Sequence, residues 1–335
     1  MKIALIANEY ESQFPLEGYG GIEIYVETLA KGLHRNGLDF FVVCPKRESR
    51  EDYPFEIIET SEPPAKITKR SPHYFASEVR KILSDRKPDV IWSQSNWSAD
   101  ALHDLGIPII CAFHDSCAKQ FGWIRNYSNV KYKFLTDFHY SNWIKEEWER
   151  KKSFVCHCGL GEEEFSKGIP KSNYLWCAGL KWGPQAKGLD IFLKLAEVNK
   201  DKEFKVYGGG SEEMERYILD FCKLNSNVFF GGELPRGAKH EEAFASAKFF
   251  VIPSQIPETA PRTIIEALSK GTPVIGSLSG SVPEMVGEFG VCSNEFEKLN
   301  EALNISIDRD KAFEYSKKFH INEEIKVLIS QSAAF

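Results

Sequence analysis

No C-x-x-C pair occurs among the eight cysteines of this chain. Cys156-His157-Cys158 is the tightest cluster, and nothing near it has the ligand spacing of a zinc site. The expectation is reduced thiols in a cytoplasmic protein. No apolar window approaches the roughly 20 residues of a membrane-spanning helix. The opening MKIALIANEY carries an apolar run too short for a signal peptide and no small-residue cleavage site. Positive charge is not in excess. The net charge of −6 argues against a general nucleic-acid binder and leaves room only for a local basic cleft. The G-x-G-x-x-G dinucleotide fingerprint is also missing, which weighs against a dehydrogenase.

What is present is a long, ordinary globular composition. At 335 residues, 42% hydrophobic and 27% charged, the chain suits two domains better than one core. It alternates short apolar runs with amphipathic segments, the pattern of a parallel sheet covered by helices. Lys2 to Ala7 reads as a strand, then a loop ending Glu17-Gly18-Tyr19-Gly20-Gly21, a helix stopped by Gly37, and a strand over Phe40 to Val43. The glycine turn either lets backbone approach a phosphate or is only tight packing. Residues 46 to 75 read as a solvated surface segment. Helices are expected over 75–83 and 99–105, and strands over 89–92 and 107–113. The last of these strands ends at His114-Asp115, which is either a ligand contact at a strand's carboxyl end or a strand-end turn. Phe134 to His139 reads as a strand. Ser141 then caps a helix bearing Trp143, Ile144 and Trp148. Its mixed charges favour tryptophans packed inward over a helix lying on a membrane. Residues 159–173 are the best linker candidate.

A second alternation follows: strands at 174–178, 203–207, 228–230 and 249–252, and helices at 189–198, 211–224 and 241–247. The most informative stretch is IPSQIPETAPRTIIEALSKGTPVIG, from Ile252. Pro261 stands where a helix could start, Thr259 is its expected N-cap, and Gly271 its stop. Glu258 lies before this helix and Glu266 within it, in the pattern E-x7-E. The helical rise bounds their axial separation at about 12 Å, the reach of a sugar diphosphate, with the helix N-terminus between them as an anion site.

These motifs together resemble a family 4 retaining glycosyltransferase of the GT-B fold. Gly20-Gly21-Ile22-Glu23 is similar to that family's N-terminal glycine loop. Cys158-Gly159-Leu160 with Phe165 resembles the start of its second domain, and Ala186-Lys187-Gly188-Leu189-Asp190 its lysine-glycine donor loop. Tyr207-Gly208-Gly209-Gly210 and Phe230-Gly231-Gly232-Glu233-Leu234 resemble its strand-end turns, and Pro253-Ser254 through Glu266-Ala267 its most specific signature.

The resemblance implies an α/β chain of two Rossmann-like parallel-sheet domains facing across a cleft. It implies an acceptor-side domain over 1–160, a donor-side domain over 161–312, and a C-terminal helix in 313–335 crossing back to the first. It implies that Glu258 contacts donor-sugar hydroxyls and Glu266 the ribose hydroxyls. Main-chain groups of Thr259, Ala260, Pro261, Arg262 and Thr263 would hold sugar and phosphate oxygens, with the turn at Leu234 near the base. Lys187 with Lys181 would neutralise the departing diphosphate. Gly20 and Gly21 would approach it from the other domain, and His114 would bond the sugar. Lys181 stands near where the family has an arginine and cannot supply a bidentate fork.

The implied reaction is front-side displacement with retention, from a UDP- or GDP-linked sugar to a hydroxyl of a glycan, lipid or small molecule. No resident cofactor or metal is implied, no nucleic acid, and at most weak peripheral membrane association. A nucleotide-sugar epimerase or hydrolase on the same fold, and a non-catalytic nucleotide-sugar-binding module, are the rival readings.

Overall fold

The computed structural model describes residues 1–7, 21–45, 52–61, 72–95, 97–114, 124–180 and 183–335, with side chains of 72–74 excepted. Gly20, residues 115–123 and Lys181 lie outside them. The chain forms two compact units, Met1–Gly161 with His320–Phe335, and Glu162–Phe319. Residues 313–319, expected with the crossing segment, thus stay in the second unit.

The first unit is built on seven parallel strands. They are β1 (Lys2–Ile6), β2 (Asp39–Cys44), β3 (Glu56–Glu59), β4 (Val90–Ser93), β5 (Ile109–Ala112), β6 (Val130–Phe134) and β7 (Ser153–Val155), ordered β3-β2-β1-β4-β5-β6-β7. Alternate residues of one strand feed opposite faces. Ala4 and Ile6 enter one apolar cluster, and Ile3 and Leu5 the other. Strand β3, EIIE, falls inside the segment read as surface. It is short and mostly half-buried, and its two isoleucines are adjacent, so it shows no alternation.

The helix Gly21–Arg35 buries Tyr25, Val26, Leu29 and Leu33 against the sheet. On the same face lies the C-terminal helix Ile321–Ala333, through Ile321, Ile325 and Leu328. A Cβ on Gly159 would stand 2.5 Å from the Ile321 Cα, so the returning chain requires glycine there. Glu324 of this helix forms a buried ion pair with Lys133 of β6, accepts from the Tyr25 hydroxyl, and accepts from the Gly159 N–H at 2.7 Å. Trp92 Nε1–H donates to Ser332 Oγ at 3.0 Å.

The helix expected from Ser141 is two. One is Asp137–Trp143, whose N-cap Thr136 accepts from the His139 N–H. The other is Glu147–Lys151, opened by a reciprocal Glu146–Glu149 capping box. The strand expected over 134–139 is instead β6, Val130–Phe134, because the Thr136 cap turns the residues after it into helix. Trp143 packs edge-on to Phe113 at 4.7 Å, and Trp148 against the same core, as the inward reading required.

The second unit is built on six parallel strands, β8 (Asn173–Cys177), β9 (Glu203–Tyr207), β10 (Val228–Phe230), β11 (Phe249–Ile252), β12 (Val274–Gly276) and β13 (Gly290–Cys292), ordered β10-β9-β8-β11-β12-β13. Both sheets carry the doubly wound order, whose direction reverses between two neighbouring strands. Ligands of such sheets bind beyond the carboxyl ends at that reversal. In the first unit it falls between β1 and β4, in the second between β8 and β11. No helix among the described residues is long and apolar enough to cross a membrane.

Candidate functional site

In the second unit the loops that leave β8 and β11 meet at the reversal. Lys187 ends the β8 loop. Its backbone carbonyl accepts from Trp176 Nε1–H at 3.0 Å, and the Ala186 carbonyl accepts from the Gln255 N–H at 3.1 Å. Gly188 closes the loop at φ +71, as the N-cap of the helix Leu189–Val198. A Cβ there would stand 2.0 Å from the Pro253 carbonyl oxygen, so no other residue fits. The β8 loop is thereby clamped onto the β11 loop, and the side chains of Lys187 and Glu258 meet. Lys187 Nζ lies 2.7 and 2.8 Å from the two Glu258 carboxylate oxygens. Glu258 is buried, and its Oε1 also accepts from Ser254 Oγ at 2.6 Å. Ser254 in turn reaches the Ala186 carbonyl at 3.0 Å.

The segment that follows departs from expectation. The helix covers only Arg262–Leu268, with Pro261 extended at the N-cap (φ −66, ψ 106) and no side-chain cap. Thr259, two residues earlier, is therefore not the N-cap. The chain from Glu258 to Pro261 is not helical, so the helical-rise bound of about 12 Å applies to only part of the Glu258–Glu266 interval. Thr259, Ala260, Pro261, Arg262 and Thr263 are half-buried. Gly271 is left-handed at φ +71, and its N–H donates to the Leu268 carbonyl at 2.8 Å. It therefore ends the helix as read.

Glu266 belongs to a second charged cluster. Its Oε1 accepts from Arg236 Nη1 at 2.8 Å and from Arg262 Nε at 3.0 Å. Both guanidinium groups also bond Glu164, Arg262 through two contacts of 2.8 and 2.7 Å. Burial by itself would raise the Glu266 carboxyl, but the charges of Arg236, Arg262 and His240 outweigh it and hold the pKa below its ordinary value. Leu234 is half-buried in the turn after β10, two residues before Arg236. Arg236, Glu164 and His240 were not read from the sequence. Glu164 and Arg236 lie 102 and 30 residues from Glu266, and no local pattern joins them.

In the first unit, His114 and Gln94 sit beyond the carboxyl ends of the neighbouring strands β5 and β4. His114 Nε2–H donates to Gln94 Oε1 at 3.0 Å, which leaves Nδ1 as an acceptor. The ring is tilted against Tyr25 at 5.7 Å. Burial, then the nearby Lys133 and His139 charges, push its pKa down to about 3, so His114 is neutral. Gln94 is a contact the sequence reading did not single out. Gly21 opens the first helix, and no atom of the described residues comes within 4 Å of where its Cβ would stand.

Comparison with known proteins agrees with this architecture. The family model Glycosyltransferase Family 4 matches residues 19–167, and Glycosyl transferases group 1 matches residues 181–323. An uncharacterized glycosyltransferase of Methanocaldococcus jannaschii is 24% identical over 85% of this chain and 83% of its own. The sulfoquinovosyl transferase SQD2 of Arabidopsis thaliana is 21% identical over 65% of this chain, which spans about half (49%) of that relative. The crystal structure of Anabaena HepE in complex with UDP and glucose superposes with a TM-score of 0.71 at 15% identity, covering 100% of both chains, a likeness of fold. With both halves matched in order, on two doubly wound sheets, the chain belongs to the family 4, group 1 glycosyltransferases of the GT-B fold, and it is a glycosyltransferase enzyme.

Proposed function

We propose that this enzyme moves a sugar from a nucleoside-diphosphate sugar, UDP- or GDP-linked, to a hydroxyl of a glycan, lipid or small-molecule acceptor, with retained anomeric configuration. The observation that carries the reading is the Lys187–Glu258 pair at the reversal between β8 and β11. An ammonium and a carboxylate side by side match the two ends of a sugar diphosphate's anomeric junction. Lys187 would take the charge that grows on the leaving diphosphate, and Glu258 would accept hydrogen bonds from sugar hydroxyls. Glu266, held ionised, would accept from the ribose diol. His114 would accept a sugar hydroxyl at Nδ1. Gly20, Gly21 and Lys181 are assigned to the diphosphate, and the main chain of 259–263 to sugar and phosphate oxygens. The Leu234 turn is assigned to the base. The Anabaena protein's complex with UDP and glucose supports a nucleotide-sugar donor for this fold.

In the step proposed, the acceptor oxygen bonds to the anomeric carbon on the face from which the phosphate oxygen leaves. That phosphate oxygen takes the acceptor's proton. No resident metal or cofactor enters the scheme. A cytoplasmic location is proposed from the cysteine pattern. The test is a transfer assay over UDP-, GDP- and ADP-sugars with and without candidate acceptors. Nucleotide release that depends on acceptor supports transfer. Release that ignores acceptor supports a hydrolase or epimerase instead, and binding without turnover for any pair supports a non-catalytic module.

A further inference from the structure

Glu164 is the last residue of a single helical turn, Glu162–Glu164, where the chain enters the second unit. Its backbone is pinned to the end of the helix that carries Glu266. The Glu164 carbonyl accepts from Ser269 Oγ at 2.9 Å and from Lys270 Nζ, and the Ser166 N–H donates to the Ser269 carbonyl at 3.2 Å. Its carboxylate, buried with only 9% of the side chain exposed, accepts from both Arg236 and Arg262. Those two guanidinium groups share the single oxygen Oε1 of Glu266. The other oxygen, Oε2, makes no hydrogen bond among the described residues and lies 3.6 Å from His240 Nε2.

Two arginines converging on one carboxylate oxygen would not hold still by themselves. Each has rotatable bonds to spare, and Arg236 is one-third exposed. A second buried carboxylate bonded to both forks removes that freedom. It also balances the charge, since two carboxylates then face two guanidinium groups in a poorly solvated place.

We propose that Glu164 is a positioning residue for donor binding: through Arg236 and Arg262 it locks Oε1 of Glu266, so that Oε2 is presented to the vicinal hydroxyls of the donor's ribose. The proposal rests on the reading of Glu266 as the ribose contact. It adds that the segment entering the second unit sets the geometry of that contact. Nucleotide recognition at the sugar hydroxyls then depends on a residue that need not touch the nucleotide.

The test compares the affinity of wild type and Glu164→Gln for whichever of UDP and GDP the wild type binds, against the matching 2′-deoxy and 3′-deoxy diphosphates. Glutamine keeps the size but loses the charge that holds two guanidinium groups. Wild type is expected to prefer the ribose form by about tenfold or more, the worth of one charge-assisted hydrogen bond. In Glu164→Gln the preference is expected to fall to within about twofold, while affinity for the deoxy forms changes little. A merely structural role would weaken all the diphosphates alike. A variant that keeps the full ribose preference overturns the proposal and leaves the donor reading intact. A wild type that binds neither diphosphate overturns the donor reading itself. Should Glu164→Gln fail to fold, Arg236→Lys reads the same ratio at a one-third exposed side chain. It keeps the charge and loses the fork, and an undiminished ribose preference there overturns the proposal equally.

Discussion

Lys187 Nζ sits between both carboxylate oxygens of Glu258, 2.7 and 2.8 Å away, and Ser254 Oγ closes the same carboxylate at 2.6 Å. The pair joins the loops after two adjacent strands on either side of the reversal in sheet order, where an open α/β sheet presents its ligands. Replacing the lysine acts on both partners. Lys187→Ala is expected to lower kcat by about 10²–10³, the scale of one preorganised donor at a developing oxyanion. It is also expected to lower stability by about 2 kcal/mol, because a buried carboxylate loses its charged partner. Steady-state kinetics and urea denaturation read the two effects separately. Full activity in Lys187→Ala would remove the lysine from the reaction.

Gly188 sets where that ammonium goes. At φ +71, with the Pro253 carbonyl 2.0 Å from any Cβ, Gly188→Ala must push the two loops apart. The expected cost is about 1–3 kcal/mol, with activity falling at least tenfold. The sheet would be retained, because the strands of the second unit pair independently of this contact. Far-ultraviolet circular dichroism and kinetics on the same preparation decide the matter, and an active Gly188→Ala would contradict the clamp.

His114 has a pKa near 3 in the folded protein against an ordinary 6.5. A depressed histidine is neutral when folded and takes up a proton on unfolding. Its contribution to stability is therefore complete above about pH 6.5 and is lost as pH falls toward 3. Two outcomes follow. Between pH 5 and 9 the rate profile carries no ionisation of His114. His114→Gln flattens the acid-side loss of stability, by on the order of 1–2 kcal/mol between pH 7 and pH 5. Denaturant melts at the two pH values read the second outcome, and equal slopes in variant and wild type would contradict it.

The C-terminal helix depends on one buried charge. Lys133 and Glu324 are each 1% exposed, and both also bond the Tyr25 hydroxyl. Glu324→Ala is expected to destabilise the first unit by about 3–5 kcal/mol, because it strands a buried ammonium. The double replacement Lys133→Met, Glu324→Leu is expected to regain most of that, since no lone charge remains buried. Thermal or urea unfolding of the three proteins tests this. A double variant as unstable as the single one would assign the loss to packing.

Much of the second sheet was legible because its strands are buried on both faces and write themselves as short apolar runs. Phe249–Ile252 is such a run, Val228–Phe230 is apolar although Phe229 is exposed, and the helix Leu189–Val198 between turn residues was equally plain. The faint elements were those whose pattern is weak or borrowed. Strand β3, EIIE, shows no alternation over its four residues, and the 137–143 helix is set by a Thr136 cap rather than by periodicity. The two glutamates and Lys187 could be picked out as types at a spacing. Their partners could not. That Lys187 meets Glu258, 71 residues away, and that Glu164 and Arg236 fix Glu266, are products of the strand order.

The central claim is that Glu258 serves the transferred sugar while nucleotide binding lies elsewhere. Glu258→Ala, assayed for transfer and titrated by calorimetry with UDP and GDP, tests it most directly. The account predicts transfer reduced below detection, with the Kd for the bound nucleotide within about threefold of wild type, since it assigns the removed group to the sugar rather than the nucleotide. Nucleotide affinity lost together with activity, or transfer that persists, would contradict it.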